Sequence, residues 1–143
     1  MEGFAPSLDV ERWTLYSHHL NPHFKLVEAQ EFLAELNGKY VGRVEAHVYK
    51  SDINPVDVSR HQFGTLDAID DVNVVSALMS AAENWLRVRG ASTLYGPFSP
   101  SINGECGVLI DGFHATPMIF MPWHPPYLSR HLEELGYTKA KDL

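Results

Sequence analysis

The chain of 143 residues lacks any long apolar run. A membrane-spanning helix needs about 20 consecutive apolar residues, and no stretch of this sequence approaches that length. The opening residues, MEGFAPSLDVERW, also lack the basic and apolar regions of a secretory signal peptide. We therefore expect a protein that has no membrane partner.

Basic residues and cysteine are scarce. Lys and Arg number 11 against 18 Asp and Glu, which gives a net charge of −7, whereas a nucleic-acid interface needs clustered cations. The single cysteine, Cys106, has no partner for an internal disulfide, which is typical of the reducing cytoplasm. Apolar residues still make up 45% of the chain, enough for one domain with a core. We expect a cytoplasmic domain that binds no nucleic acid.

One long helix is the clearest element of the sequence. Over Val72–Arg89 the apolar residues recur every three or four positions, which is the spacing of one helix face. Asp70 or Asp71 can cap its start, and Gly90 stands where a glycine ends many helices. Because an apolar strand lies on each side, the helix reads as a crossover between parallel strands. Its predicted inner face consists of Leu78, Ala82, Trp85 and Leu86.

A hairpin precedes this helix. Residues 25–36 and 39–50 are apolar runs joined by Asn37-Gly38, the strongest short hairpin signal, because both residues tolerate a positive φ. Residues 61–70 add a third strand and complete an antiparallel meander. The second arm has two faces, since Arg43, Glu45 and His47 alternate with apolar residues and glycine.

The secondary-structure patterns are weaker toward both ends of the chain. Residues 1–24 form a segment whose structure, strand or short helix, stays open, and residues 25–143 form the domain. After residue 98 the pattern predicts a short helix at 104–111, a strand at 117–123, a helix at 124–136 and a final strand at 137–143. The fold class is therefore α/β (α+β), with a mixed sheet of about six or seven strands.

Three motifs follow the crossover in a fixed order. They are GPFSPSINGECG with a following DGF, then MPWHPPY, then LGYTKAKDL. With this element order the chain resembles the GNAT (N-acetyltransferase) superfamily, and within it a subfamily that shares GPxxxSxNxECG, DGF, MPxxPPY and LGxxKAKDL. The resemblance covers residues 21–143. It implies a mixed, mostly antiparallel sheet with a central crossover helix and flanking helices, and acyl transfer to an amine. Members of this subfamily are usually longer, so we expect a compact, single-domain version.

The turn before the long helix departs from the superfamily. Acetyltransferases of this type carry Q/R-x-x-G-x-G/A there, and its glycines let backbone N–H groups approach the pyrophosphate of acetyl-CoA. Here the turn reads IDDVNV, without glycine or a basic residue, and two carboxylates stand at the phosphate positions. This disfavours acetyl-CoA or another acyl-CoA. If CoA does bind at the helix start, Asp71, Val72 and Asn73 would hold it; otherwise Asp70 and Asp71 serve the helix as caps.

A small-molecule cleft is predicted from five residues that follow neighbouring strands, near the starts of helices. They combine convergent polar groups with an aromatic wall, and they are Ser101, Asn103, Glu105, Trp123 and Tyr127. The alternative is structural: the first two cap the short helix and the aromatic residues pack around the prolines. No catalytic residue is identified.

Two further features of the sequence suggest a nucleophile and a metal site. Cys106 is either a nucleophile activated at the start of the short helix or a small buried side chain. The spacing His18-His19-x-x-x-His23 is metal-like, but it lacks a companion carboxylate or cysteine motif, so no metal is expected.

Three functions stay open from the sequence. The first is a ligand-binding acyltransferase with a degenerate acetyl-CoA site. The second is a non-catalytic ligand-binding module that has lost CoA binding, and the third is a structural or interaction domain; the missing glycine loop favours these two. A final strand with an unpaired edge would also favour a homodimer.

Overall fold

A computed structural model describes residues 8–50, 60–118 and 121–142. The helices are α1 (Asp9–Tyr16), α2 (His23–Leu26), α3 (Val72–Val88) and α4 (Tyr127–Glu134). The strands are β1 (Val27–Leu36), β2 (Lys39–Tyr49), β3 (His61–Ala68), β4 (Phe98–Ser99) and β5 (Glu105–Cys106). The predicted mixed α+β class is confirmed, with one antiparallel three-stranded sheet and a two-stranded ribbon. Within the described ranges no helix has both the length and the hydropathy needed to cross a bilayer.

The sheet is the predicted meander. Asn37 and Gly38 have φ values of 53° and 75°, as the hairpin turn between β1 and β2 requires. β3 pairs antiparallel with the other edge of β2, so the strand order is β1-β2-β3. Residues directly opposite one another share a face of the sheet. Glu31, Glu45 and Gly64 therefore lie in one row across the three strands.

Helix α3 covers one face of this sheet, as its periodicity predicts. Leu78, Ala82 and Leu86 are at most 2% exposed, and Trp85 is partly buried against the same core. Gly42 of β2 makes the close approach possible, because a Cβ at this position would lie 2.8 Å from Leu78 Cδ1. The predicted helix and its inner face are confirmed.

After α3 the chain returns to β3, as predicted for a crossover. The parallel pairing with β3 is a single bridge rather than a full strand. Tyr95 forms a parallel bridge with Gln62, in which Phe63 N donates to Tyr95 O and Tyr95 N donates to His61 O, both at 3.0 Å. Pro97 then follows and has no N–H for a further ladder bond. The segment next crosses Gly64, where a Cβ would lie 1.9 Å from the Phe98 carbonyl oxygen.

The predicted short helix at 104–111 is wrong. Glu105 and Cys106 form β5, which pairs antiparallel with β4. Gly104 turns the chain back, with its N–H donating to Ser101 O at 2.9 Å. Gly107 then adopts φ 82°, a left-handed value that a helix interior does not contain.

The later strands are wrong over the residues that the structure describes. Met118 and residues 121–123 form no strand, and residues 119–120 of that prediction lie outside the described ranges. Residues 137–142 form no strand either, so the described chain has five strands in two sheets rather than six or seven in one. The homodimer stays a prediction, but the terminal edge on which it rested does not form over these residues.

Helix α4 closes the core from the side of α3. Leu128 and Leu132 are 1% and 6% exposed, and Leu135 packs partly against the same cluster. Gly136 has φ 90° and ends the helix as predicted. The segment before β1, which the sequence left open between strand and helix, is helical over Asp9–Tyr16.

Candidate functional site

The start of α3 is occupied by its own carboxylates. Asp71 Oδ1 accepts hydrogen bonds from Asn73 N at 2.8 Å and from Asn73 Nδ2 at 3.1 Å. Asp70 Oδ1 lies 2.8 Å from His131 Nε2 and 3.3 Å from an Arg130 nitrogen. The donors that a pyrophosphate would need are thus directed at aspartate oxygens, and the interpretation of Asp71 as a helix cap is confirmed.

We predict that acetyl-CoA binds weakly or not at all. The phosphate groups would lie next to two carboxylates at the helix start, and like charges in direct contact repel each other. Calorimetry at low salt is the measurement, with Asp70→Asn as the companion variant, which should bind acetyl-CoA more tightly. Micromolar binding by the unaltered chain would contradict this prediction.

We predict that Asp71→Ala lowers the free energy of unfolding by about 0.5–2 kcal/mol, the usual cost of removing a helix N-cap. Asp71→Asn is the matched control, because asparagine caps helices as well as aspartate does. Urea unfolding of the two variants gives the comparison. Equal stability of the alanine and asparagine variants would show that the cap contributes nothing.

The residues of the predicted cleft have hydrogen bonds in three places. Ser101 Oγ accepts from Asn103 N at 3.2 Å within one turn, and Trp123 Nε1 donates to Phe113 O at 3.3 Å. Tyr127 OH donates to Ala68 O at 2.8 Å, at the end of β3. These contacts attach Tyr127 to the sheet and Trp123 to the segment after β5, and the cleft itself stays a prediction.

Glu105 and Tyr127 nevertheless share one neighbour, Asp67. Burial, reinforced by the charge of Asp67, raises the pKa of Glu105. Burial, with the charges of Asp70 and Asp67, raises the pKa of Tyr127. Asp67 itself forms an ion pair with Arg43, with a guanidinium nitrogen 2.6 Å from Oδ2. The end of β3 is thus a place where predicted cleft residues approach one sheet carboxylate.

Cys106 is not set up as a nucleophile. It lies in β5 rather than at a helix start, and its Sγ donates to Ile102 O at 3.5 Å. Burial raises the pKa of its thiol, which lowers the thiolate fraction. The structural interpretation of this cysteine is therefore favoured.

The strongest candidate site is the face of the sheet opposite α3. Glu45 and His47 are 1% and 0% exposed, although the sequence alternation puts both on the polar face of β2. His47 Nδ1 lies 3.2 Å from Glu45 Oε1, but the two are not aligned for a hydrogen bond, and neither Glu45 oxygen nor Nδ1 has a hydrogen-bond partner among the described residues. Buried carboxylates without partners are rare in folded proteins and call for an explanation.

The ring of His47 has a defined orientation. Nε2 lies 2.8 Å from Gln62 Oε1, a contact whose donor is set by the tautomer of the ring. The other nitrogen, Nδ1, lies 3.2 Å from Glu45 Oε1. The ring is therefore positioned between the Gln62 amide and the Glu45 carboxylate.

Two aromatic rings pack around His47. His23 packs edge-on against His47 with ring centroids 5.7 Å apart, and Tyr49 packs against both rings. Burial, and then the neighbouring His47, lowers the pKa of His23. The low local polarity beside these rings strengthens electrostatic interactions there.

A cavity of about 350 Å³ opens between α1 and this face of the sheet. Glu31 and Leu33 of β1 and Arg43 of β2 contribute to its floor, and Trp13 and Tyr16 of α1 to its roof. Burial, with the charges of Glu105 and Glu45, raises the pKa of Tyr16 to about 12. The phenol therefore keeps its proton at neutral pH and acts as a hydrogen-bond donor, close to the buried carboxylate.

The sequence missed this site for a clear reason. Alternation placed Glu45 and His47 on one face, but it does not say whether a polar face is covered. Part of the cover is the ring of His23 in α2, which packs on His47 and belongs to the segment whose structure the sequence left open. A carboxylate and a histidine two positions apart in a confident strand were the available signal.

Among the described residues, no group of three or more His, Cys, Asp or Glu side chains is arranged to hold a metal ion. Within the predicted spacing, the His18 ring stacks on Phe24 with centroids 4.1 Å apart, and His23 packs on His47.

Two curated proteins are similar to this chain. It is 40% identical over 144 residues to Protein YghO of Escherichia coli (strain K12), and this alignment covers 99% of the chain. It is 41% identical over 138 residues to the Bacterial ceramide synthase of Caulobacter vibrioides (strain NA1000 / CB15N), which covers 95% of this chain. In both cases the chain spans 36% of the relative's length.

No protein-family profile matches the chain, and no solved structure matches it at a significant level. The resemblance to the GNAT superfamily therefore stays a prediction. The homology itself extends over nearly the whole chain, so the residues of the sheet, α3 and α4 all lie within the shared region.

Proposed function

We propose that this chain forms part of an enzyme that transfers an acyl group to the primary amine of a long-chain lipid and so makes an amide. A ceramide is the amide of a fatty acid and a long-chain amino alcohol. Forming one from the free amine is therefore an N-acylation. The relative with that name matches 95% of this chain at 41% identity, which supports acyl transfer as the activity.

The buried pair of Glu45 and His47 is the observation that carries the proposal. A long-chain amine is protonated at neutral pH and cannot attack a carbonyl carbon until it loses a proton. A carboxylate and an imidazole placed side by side, at 3.2 Å, are side chains of the type that accept such a proton. Their burial keeps bulk water away from the transfer, which strengthens the interaction with a cation.

The reaction balances with an acyl thioester as donor. The pair removes one proton from the ammonium group, and the free amine forms a C–N bond with the acyl carbon. The C–S bond breaks, the sulfur leaves with its electron pair, and the second amine proton ends on that sulfur. The proton first taken up by the pair then passes to solvent, so the site returns to its starting state.

Tyr16 has a complementary role in this scheme. Tyr16 borders the cavity, and its hydroxyl stays protonated because its pKa is raised to about 12. A neutral phenol in this position can donate a hydrogen bond to the oxygen on which negative charge develops. We assign it this stabilising role rather than that of a proton donor to the leaving group.

The test is direct detection of the amide. The chain is incubated with sphinganine and palmitoyl thioester, and the product is identified by mass spectrometry. N,N-dimethylsphinganine is the control substrate, because a tertiary amine cannot give a neutral amide. Time-dependent formation of N-palmitoylsphinganine is expected, and its absence with both palmitoyl-CoA and a short palmitoyl thioester would contradict the proposal.

A non-catalytic ligand-binding module is the second candidate. The start of α3 favours it, since Asn73 N donates to Asp71 and the neighbouring Asp70 carboxylate, which pairs with His131 of α4, would repel a phosphate. Such a module would bind the amine without forming an amide, so the same experiment with a binding measurement separates the two.

A further inference from the structure

We infer that the groove between α1 and the sheet binds a cationic amphiphile, with its ammonium group between Glu31 and Glu45 and its alkyl chain along Trp13 and Leu33. The inference rests on the proposed function for the identity of the amine, and it assigns the binding residues. Three features of the groove support this inference: an unfavourable pair of carboxylates, an excess of negative charge, and an exposed apolar wall.

The first part is a cross-strand pair of like charges. Glu31 of β1 lies directly opposite Glu45 of β2, and side chains so placed have Cβ atoms roughly 4.5–5.5 Å apart on one face. Two carboxylates in this arrangement destabilise a sheet. Both oxygens of Glu45 are buried without a hydrogen-bond partner among the described residues. A cation bound between the two carboxylates removes both costs.

The second part is the charge balance around the groove. Asp9 and Glu31 border it together with Arg12 and Arg43. Arg43 is already paired with Asp67 at 2.6 Å, whereas no ion pair among the described residues involves Asp9 or Glu31. Glu45 adds a further carboxylate behind the floor, so the groove has an excess of negative charge and attracts a cation.

The third part is an apolar wall that solvent reaches. Trp13 and Leu33 border the same groove and are 67% and 61% exposed. Helix α1 has no fully buried residue, so most of the Trp13 side chain is left in contact with solvent. An alkyl chain laid between these two side chains would cover apolar surface, a favourable change of about 25 cal/mol per Å².

These three features select the ligand class. A fatty acid would bring its carboxylate among Asp9, Glu31 and Glu45, and a neutral alcohol would leave their charge uncompensated. A primary ammonium group has three donors to share among several carboxylate oxygens. The groove therefore matches the amine rather than the acyl half of an N-acylation.

Decylamine, decanol and decanoate, each below its micelle concentration, are the probes. Calorimetry measures their affinities for the whole chain, and tryptophan fluorescence with the Trp13→Phe variant shows whether the signal comes from α1. Decylamine is expected to bind at least fivefold more tightly than decanol, and decanoate most weakly. Equal affinities for the three, or no saturable binding of decylamine, would overturn the inference.

Charge variants locate the ammonium group. Asp9→Asn combined with Glu31→Gln should weaken decylamine binding by about tenfold, because each partly exposed ion pair contributes up to a few-fold. Affinity for decanol should not change. Glu35→Gln is the matched control, since Glu35 is exposed on the same strand and does not border the groove. An unchanged affinity of the double variant would overturn the assignment.

Leu33→Ser tests the wall in the same way, with Leu36→Ser as its control on the same strand. The first should weaken decylamine and decanol alike, and the second should change neither. Equal effects of the two serine variants would count against the alkyl position.

The outcome is separable from that of the proposed function. If decylamine binds as expected but is never converted to an amide by the thioester, the binding site is supported and the proposed enzymatic activity is excluded. If the chain forms the amide but the Asp9 and Glu31 substitutions do not change the KM for the amine, the enzymatic activity is supported and the groove is excluded as the amine site.

Discussion

Leu78→Ala is expected to lower the free energy of unfolding by about 2–5 kcal/mol, the range for large-to-small changes in a core. Leu78 is 2% exposed and lies over Gly42, whose missing side chain lets α3 approach β2. The backbone of β2 is held in the sheet on both sides, so it cannot move in to fill the space. Urea unfolding with a linear extrapolation gives the measurement.

Val88→Ala is the control for this prediction. Val88 belongs to the same helix but is 85% exposed, so its truncation should change stability by less than about 0.5 kcal/mol. A Leu78 variant that loses no more than the Val88 variant would mean that α3 packs through another face.

Glu45→Gln is expected to lower kcat for N-acylation by about 10²–10⁴-fold, the usual contribution of a positioned general base. Glutamine keeps the shape of the side chain but removes the charge and the proton-accepting oxygen beside His47. His47→Asn should have an effect of the same order, and the double variant little more, because residues that act as one unit are not additive. The measurement is the initial rate of amide formation at saturating amine.

Two controls make this loss interpretable. Glu35→Gln makes the same chemical change at an exposed position of β1 and should leave kcat unchanged. Circular dichroism and the unfolding midpoint should show that the Glu45 and His47 variants remain folded. Retention of kcat within threefold by a folded Glu45→Gln variant would exclude this residue as the proton acceptor.

Local signals explain the elements that the sequence predicted correctly. The positive φ of Asn37 and Gly38 is a property of the two residues themselves, so the hairpin could be identified without knowledge of its surroundings. Helix α3 was also identifiable, because its apolar face and its Asp71 cap lie within one continuous segment. In both cases the interactions that decide the structure are close in sequence.

The segment after Phe98 shows where such reasoning fails. Residues 104–111 include a short apolar stretch that suggested a helix, but the path of the chain there depends on contacts with distant residues. Gly64 accommodates the Phe98 carbonyl, and Gly104 packs against Ser99, where a Cβ would lie 2.3 Å from its carbonyl oxygen. The ribbon of β4 and β5 results from these contacts, which no local pattern reveals.

The same limit of local sequence patterns applies to the residues of the candidate site. Glu105 and Tyr127 both experience the charge of Asp67, but the five-residue cleft to which the sequence assigns them stays a prediction. Glu45 and His47 were placed on the correct face of β2 but were given no role. Their chemistry comes from being covered, and the cover is supplied by a helix whose position depends on tertiary packing.

The most direct test of the central claim is an NMR titration of the isotope-labelled chain with decylamine in the absence of any acyl donor. The backbone amide signals of Glu31 and Glu45, which lie opposite each other in β1 and β2, and of Leu33 and Arg43, which border the groove, are expected to move together with one dissociation constant. Signals of residues 71–74 at the start of α3 should stay in place. Shifts confined to that helix start, or to residues 101–105 and 123–127 of the predicted cleft, would contradict the assignment of the sheet face as the amine site.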